Sequence, residues 1–378
     1  MPSGNYFNCT IHPNLVFTLK TLHTSAPPFS LPVSTPSLFN IAIVGLRFGR
    51  TILDHACQEP ASDFFNLSAV CDFQKGLVAE AVEKFGVTGY HSLDELLEKD
   101  SSPVIGLFTQ PQGRAQLIRK IIRAGRDVLT TKPFELDHKE ARSVLEEARD
   151  LGRVIHLNSP GPTLSEDLQL IKDWRTQYNL GRPVGGAARV WASYREDADG
   201  TWLDDPISCP AAPLFRLGIY LFNDFNSIFG AAESIQLMTS SIRTGRLTPD
   251  NAQVNIRYRN GALGHVFASF CVEDGDHYQN GLILNFEHGT IYRNAGGLRT
   301  IKNLQNTELV LVKKGESQRK IVEHVEVTEG SGQYQWMALA DAMRTRSVAG
   351  DEQITNIVEG IRMVNALQRA QENGSAQV

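Results

Sequence analysis

The period of apolar and polar positions changes along the chain, and the changes divide it. Ile41-Ala42-Ile43-Val44 is an unbroken apolar run of strand length, which reads as a strand buried on both faces. It leads into Gly45-Leu46-Arg47-Phe48-Gly49-Arg50 and then the apolar-periodic Thr51-Ile52-Leu53, so a strand, a glycine turn and a helix follow one another. Residues 67–72 read as a second strand ending on Asp72. Leu77, Val78, Ala81, Val82 and Phe85 repeat at helical spacing up to a stop at Gly86, and Ser92-Leu93-Asp94-Glu95 is a capping box. Residues 104–108, 127–130 and 154–158 are further strands, separated by amphipathic helices over 115–124 and 141–151. This alternation predicts a doubly wound parallel sheet with helices on both faces.

The pattern then shifts. A helix is expected from the Thr163-Leu164-Ser165-Glu166 cap to about residue 177, and a strand over 189–194. Residues 195–213 have no period and carry Trp202, three prolines and several acids, as a functional loop on the substrate side would. After the segment 214–224 come strands at 254–258, 265–272, 282–286, 309–312 and 321–327, which predict a large, mainly antiparallel open sheet. Trp336, Leu339, Ala340 and Met343, then Ile354, Ile357, Val358, Ile361, Val364 and Leu367, mark two final helices. The expected organisation is an extension over 1–39, an α/β dinucleotide-binding domain over 40–158, an α+β substrate and oligomerisation domain over 159–335, and carboxyl-terminal helices over 336–378.

Composition narrows the function. With 378 residues the chain has room for two proper cores, and 42% hydrophobic with 21% charged residues is globular. A net charge of -5 argues against a nucleic-acid partner, and no run approaches the ~18 apolar residues of a membrane span. The five cysteines are dispersed with no C-x-x-C pair, which fits a reducing, cytoplasmic setting. The ten histidines form no H-x-x-x-H pair; His138, His156, His265 and His277 look isolated, so no metal is expected. Residues 1–39 are rich in Ser, Thr and Pro, with Lys20 as their only cation, and read as a disordered or loosely attached extension.

The candidate chemistry lies at the carboxyl ends of the predicted parallel strands, where such sheets bind ligands. Gly45, Asp72, Thr109, Lys132 and Asn158 all fall at that edge. The glycine turn suits a pyrophosphate at a helix start. Its spacing departs from G-x-G-x-x-G: Arg47 holds the second glycine position, and Gly49 comes one place early. An acid such as Asp72 accepts hydrogen bonds from ribose hydroxyls and repels a 2′-phosphate, favouring NAD(H); the nearby cations Arg47 and Lys75 leave NADP(H) open.

The order of glycine turn, strand-end acid, Thr109-Gln110-Pro111 and Lys132-Pro133 after a Val-Leu strand resembles the Gfo/Idh/MocA oxidoreductases. In that family the second stretch usually reads Glu-Lys-Pro; here Thr131 replaces the glutamate. Gly218-Ile219-Tyr220 resembles the family's later signature in its tyrosine branch, with Arg216 in place of the usual aspartate. The resemblance implies a nicotinamide cofactor held by Gly45, Arg47, Phe48, Gly49, Asp72, Thr109, Gln110, Pro111 and Lys132. It further implies hydride transfer at a carbonyl or alcohol carbon of a small substrate, and a homodimer through the open sheet. Tyr220 would exchange the hydroxyl proton while Lys132 depresses its pKa, with either as the actual carrier. Arg216, Tyr220 and Asn223 would share one helix face. Arg216, Asn158, Asn223 and Trp202 would meet the substrate, and a free Arg216 would favour an anionic or polyoxygenated one. Arg216 turned outward to solvent, Asp204 or Asp205 is the alternative. The altered motifs leave two other readings: a scaffold reused for isomerisation, cyclisation or elimination, and a non-catalytic nucleotide-sensing regulator.

Overall fold

Five short, largely apolar strands and a three-residue edge strand align in parallel, and other elements cover the faces of the sheet. They are β1 (Phe39–Val44), β2 (Phe65–Cys71), β3 (Thr88–Tyr90), β4 (Val104–Leu107), β5 (Asp127–Thr130) and β6 (Ile155–Leu157). Between them run α1 (Leu46–Ala56), α2 (Lys75–Phe85), α3 (Leu93–Lys99), α4 (Arg114–Arg123) and α5 (His138–Asp150). The order across the sheet is β3-β2-β1-β4-β5-β6, every pairing parallel. Strand order reverses between β1 and β4, so a crevice opens there at the carboxyl edge. Local chemistry sets the ends: α2 stops at left-handed Gly86, and α3 starts from Ser92, whose hydroxyl accepts from Glu95 N while the Glu95 carboxylate takes His91 N.

The computed structural model describes residues 37–194, 196–243, 245–274, 278–295, 306–328 and 330–378. The amino-terminal extension up to Pro36, Arg195 and His277 lie outside the described residues.

After α6 (Glu166–Gln177) the chain enters the second sheet at β7 (Pro183–Trp191). A five-residue π turn, Leu214–Gly218, runs into α7 (Ile219–Phe229), which lies buried on almost every side. Then come β8 (Ala232–Ser240), β9 (Asn251–Tyr258), β10 (Leu263–Ser269), β11 (Gln279–Phe286), β12 (Gly289–Arg293), β13 (Thr307–Lys314) and β14 (Arg319–Val327). Helices α8 (Trp336–Thr345) and α9 (Asp351–Asn373) and the short β15 (Ser375–Gln377) end the chain. The nine-stranded order is β14-β13-β12-β11-β7-β10-β9-β8-β15, antiparallel except for β7 beside β10.

Strand β7 begins six residues before the strand expected at 189, and the reason is packing. A Cβ on Gly185 would come 2.7 Å from the Leu263 carbonyl oxygen, and one on Gly186 would come 2.7 Å from the Phe225 ring. The glycines let α7 and a neighbouring strand close in, and they also remove the alternation by which a strand is read.

Helix α9 ties the two cores together. Ile354, Ile357, Val358 and Ile361 pack with α5 and the parallel sheet, whereas Met363, Val364, Leu367 and Ala370 join the core of the second sheet. Each buried aliphatic side chain contributes about 1.5–3 kcal/mol. Helix α8 packs on β2 from the other face, with Trp336 5.7 Å from Phe65, ring centre to ring centre.

Candidate active site

The glycine turn is built by close approach. Gly45 has φ +89°, and a Cβ there would lie 2.8 Å from the Phe108 carbonyl carbon and 2.9 Å from Thr109 N. Only glycine fits, and α1 therefore starts directly over the end of β4. Gly49 faces β1, where a Cβ would meet Ile43 at 3.2 Å. It thus serves the helix–strand packing role of a last loop glycine, one residue early, in a shorter turn. Arg47 does not fill the crevice: its side chain is largely exposed and pairs with Asp199 at 3.7 Å. Phe48 is half exposed, 6.0 Å from Phe108. Gln110 is exposed and Pro111 buried, while the Thr109 hydroxyl is buried with no protein partner.

Asp72 is more committed than a free ribose ligand. It is 7% exposed; one carboxylate oxygen accepts from Leu46 N at 2.7 Å and the other from Gln74 N at 2.8 Å. The carboxylate caps α1 and fixes the turn, and it keeps further lone pairs for hydroxyl donors.

Lys132 leaves the end of β5 and reaches across to the second domain. Its Nζ donates to the Arg216 carbonyl oxygen at 2.5 Å and lies 4.2 Å from the centre of the Tyr220 ring. The acceptor sits inside the π turn, whose wider spacing places that carbonyl toward the lysine. Burial, reinforced by the positive charge of Arg216, lowers the lysine pKa to about 7.

Tyr220 behaves differently from expectation. Burial raises its pKa well above the usual phenol value. Lys132 covers the ring face and does not touch the hydroxyl, so it does not depress the phenol. The hydroxyl oxygen accepts from Asn158 Nδ2 at 3.0 Å. Asn158 is in turn fixed by Thr131 Oγ1 at 3.3 Å and by Lys132 N at 3.2 Å, both donating to its Oδ1. The low-pKa group is the lysine, and the tyrosine is its aromatic wall.

The structure also separates the residues expected on one helix face. Arg216 lies in the π turn and Tyr220 in the α-helix beyond it, so the regular i, i+4 relation does not hold. The Arg216 guanidinium makes a two-pronged pair with Glu196 at 2.6 and 2.9 Å and stacks 4.7 Å from Tyr194 and 4.9 Å from Phe270. It faces neither solvent, Asp204 nor Asp205, and its charge is already matched. Asn223 is buried against Ser159, which it meets at 2.9 Å, and lines a separate cavity of about 380 Å³ with Asn158 and Asn226. Trp202 rests on Phe215 at 6.1 Å as an anchor of the 196–213 loop. That loop spans from the second sheet to the glycine turn: Arg246 holds Glu196 and Asp204, Gln371 holds Pro206 and Ala211, and Asp199 meets Arg47. Glu196, Tyr194 and Phe270 escape a reading of the sequence because nothing local marks them as partners of Arg216.

These features match known proteins. A family profile described as an oxidoreductase family with an NAD-binding Rossmann fold covers residues 39–159, and the GFO/IDH/MocA C-terminal domain covers 168–292. The chain belongs to the Gfo/Idh/MocA oxidoreductase family. An inositol 2-dehydrogenase/D-chiro-inositol 3-dehydrogenase of Lactiplantibacillus plantarum is 23% identical over 115 residues, 30% of this chain and 33% of that enzyme. The match thus spans about a third of that relative's length. An oxidoreductase of Desulfitobacterium hafniense superposes with a TM-score of 0.72 at 12% identity, over 90% of this chain and 98% of its own. Levoglucosan dehydrogenase in complex with NADH gives a TM-score of 0.70 at 14% identity, over 90% and 99%. At such identities the structural likeness speaks for the fold alone.

The family's nicotinamide cofactor fits the residues present. The Gly45 approach forms the cradle, the start of α1 lies above it, and the orphaned Thr109 hydroxyl and the spare lone pairs of Asp72 supply polar partners. Among the described residues no group of three or more His, Cys, Asp or Glu could hold a metal, and no helix is long and apolar enough to cross a membrane.

Proposed function

We propose that the protein is an NAD(P)-dependent oxidoreductase acting on a carbonyl or alcohol carbon of a small, polyoxygenated substrate, with Lys132 as the proton carrier. The observation that carries this reading is the Lys132 amine, held between the Arg216 carbonyl and the Tyr220 ring at the carboxyl edge of the sheet, with its pKa lowered to about 7 by burial. A group poised there both accepts and returns a proton near neutrality. Gly45, Asp72 and Thr109 would hold the nicotinamide cofactor, which would supply or accept the hydride. Lys132 removes the hydroxyl proton in oxidation and returns it in reduction. Asn158 holds the lysine's own main chain and the Tyr220 hydroxyl, and the 196–213 loop closes the substrate side against water. Because Glu196 already matches Arg216, a neutral polyol or sugar suits the site better than an anion. Asp72 favours NAD(H) over NADP(H). A second copy of the chain is the proposed partner of the sheet's outer face, whose strands expose Val184, Leu263 and Ile321.

Titration of the purified protein with NADH and with NADPH, followed by nicotinamide fluorescence, tests the reading. Micromolar binding, tighter for NADH, is expected. A folded protein that binds neither overturns hydride transfer and returns the scaffold to non-redox chemistry.

A further inference from the structure

Arg114 is a buried cation in an unfavourable place. It is 3% exposed and opens α4, at the helix end where the backbone dipole disfavours positive charge. Among the described residues it forms no ion pair. Glu135, the carboxylate that acts on it, gives its oxygens to the Gly113 and Ala115 amides. Burying such a charge is costly unless specific hydrogen bonds offset it. Its bonds are specific: Nη1 donates to the Thr131 and Pro133 carbonyls, each at 3.0 Å, and Nη2 donates to the Thr109 carbonyl.

Two of those carbonyls belong to the residues immediately before and after Lys132, and the third to the end of the neighbouring strand. The lysine's own N–H goes to Asn158. We propose that Arg114 is the positioning residue for Lys132: its fork grips the chain on both sides of the lysine, locks it to the end of β4, and so aims the amine at the Arg216 carbonyl and the Tyr220 ring. The planar guanidinium reaches all three carbonyls at once. Its charge also acts through space on the amine, in the same direction as burial and Arg216. The inference rests on Lys132 as the reacting group, but its test reads the lysine without substrate.

The experiment is competitive acylation of the full-length protein with acetic anhydride across pH 5–11, quantifying the Lys132 peptide by mass spectrometry with Lys120, on the same helix as Arg114, as internal control. The native protein should show a Lys132 midpoint near about 7. Arg114→Met removes charge and grip together and should raise that midpoint by about one unit or more, leaving Lys120 unmoved. Arg114→Lys keeps the charge without the fork and should shift it less. If Arg114→Met does not fold, Arg114→Gln replaces it with the same expectation. A folded neutral variant with an unchanged Lys132 midpoint overturns the proposal and leaves Arg114 as a packing residue. Failure of the oxidoreductase reading appears instead as absent cofactor binding with the midpoint shift intact.

Discussion

The sharpest consequence of the site is the pH dependence of turnover. In the proposed mechanism Lys132 must be a free amine to take a proton in alcohol oxidation and an ammonium to return one in reduction. With a pKa near about 7, the amine fraction climbs from ~10% at pH 6 to ~90% at pH 8. The oxidation kcat/KM should therefore rise about tenfold between those values and level off above, while reduction falls over the same span. The profile is measured by nicotinamide absorbance with a polyol that supports turnover, in both directions. Lys132→Met should lose a factor of about 10²–10⁴ and the pH dependence with it. Tyr220→Phe should lose less and keep the midpoint, because the phenol accepts from Asn158 and its pKa is pushed up, away from neutrality. A profile flat from pH 6 to 8 that rises only toward an ordinary lysine value, or a Tyr220→Phe loss larger than that of Lys132→Met, would refute the assignment of the proton to the lysine.

Two other perturbations follow from the same geometry. Gly45→Ala must place a side chain at φ +89° and against the Phe108 main chain; the left-handed backbone alone costs about 1–2 kcal/mol. A lower thermal midpoint and NADH binding weakened about tenfold or more are expected, and native binding would show that the turn is looser than it looks. His156 is buried on β6 with neither ring nitrogen partnered, and burial lowers its pKa to about 3. Unfolding frees it to take a proton below its usual value near 6.5, so stability falls as pH drops from about 6.5 toward 3, by about 1.4 kcal/mol per unit from this one group. His156→Leu should flatten the acid slope in urea unfolding by that amount; an identical slope would mean that the ring is hydrated.

What could be read beforehand was what repeats or sits at an edge. Five of the six parallel strands are legible because burial on both faces leaves continuous apolar runs, and Gly45, Lys132 and Asn158 because strand ends in such a sheet converge. The three-residue edge strand β3 carries no apolar run, strands β8, β12 and β15 escape the same reading, and β7 is clipped by its glycines. Position along the chain also gave no hint that residue 216 would fall in a π turn. That turn is why Arg216 and Tyr220 diverge and why a main-chain carbonyl, rather than a side chain, meets the lysine. Arg114 had one visible sign, a cation on the first turn of a helix, whose meaning depends on carbonyls brought in from two other strand ends.

The departures from the family's usual motifs gain a common explanation from their partners. Arg47, where a glycine is expected, points outward to Asp199 of the 196–213 loop. Thr131, where a glutamate is expected, donates to Asn158, which holds both Lys132 N and the Tyr220 hydroxyl. Arg216, where an aspartate is expected, is matched by Glu196 of the same loop and stacked between Tyr194 and Phe270. Each altered side chain has a specific partner within the chain, and two of the three partners lie on the 196–213 loop. Thr131 is buried and Arg216 largely so, and leaving either unpaired would cost about 1–3 kcal/mol. A carboxylate beside the lysine would favour its ammonium form, whereas burial, Arg216 and Arg114 all favour the free amine. The lysine is thereby held toward its base form near neutral pH, and Arg216, which stands where an aspartate is usual, also holds the 196–213 loop through its pair with Glu196.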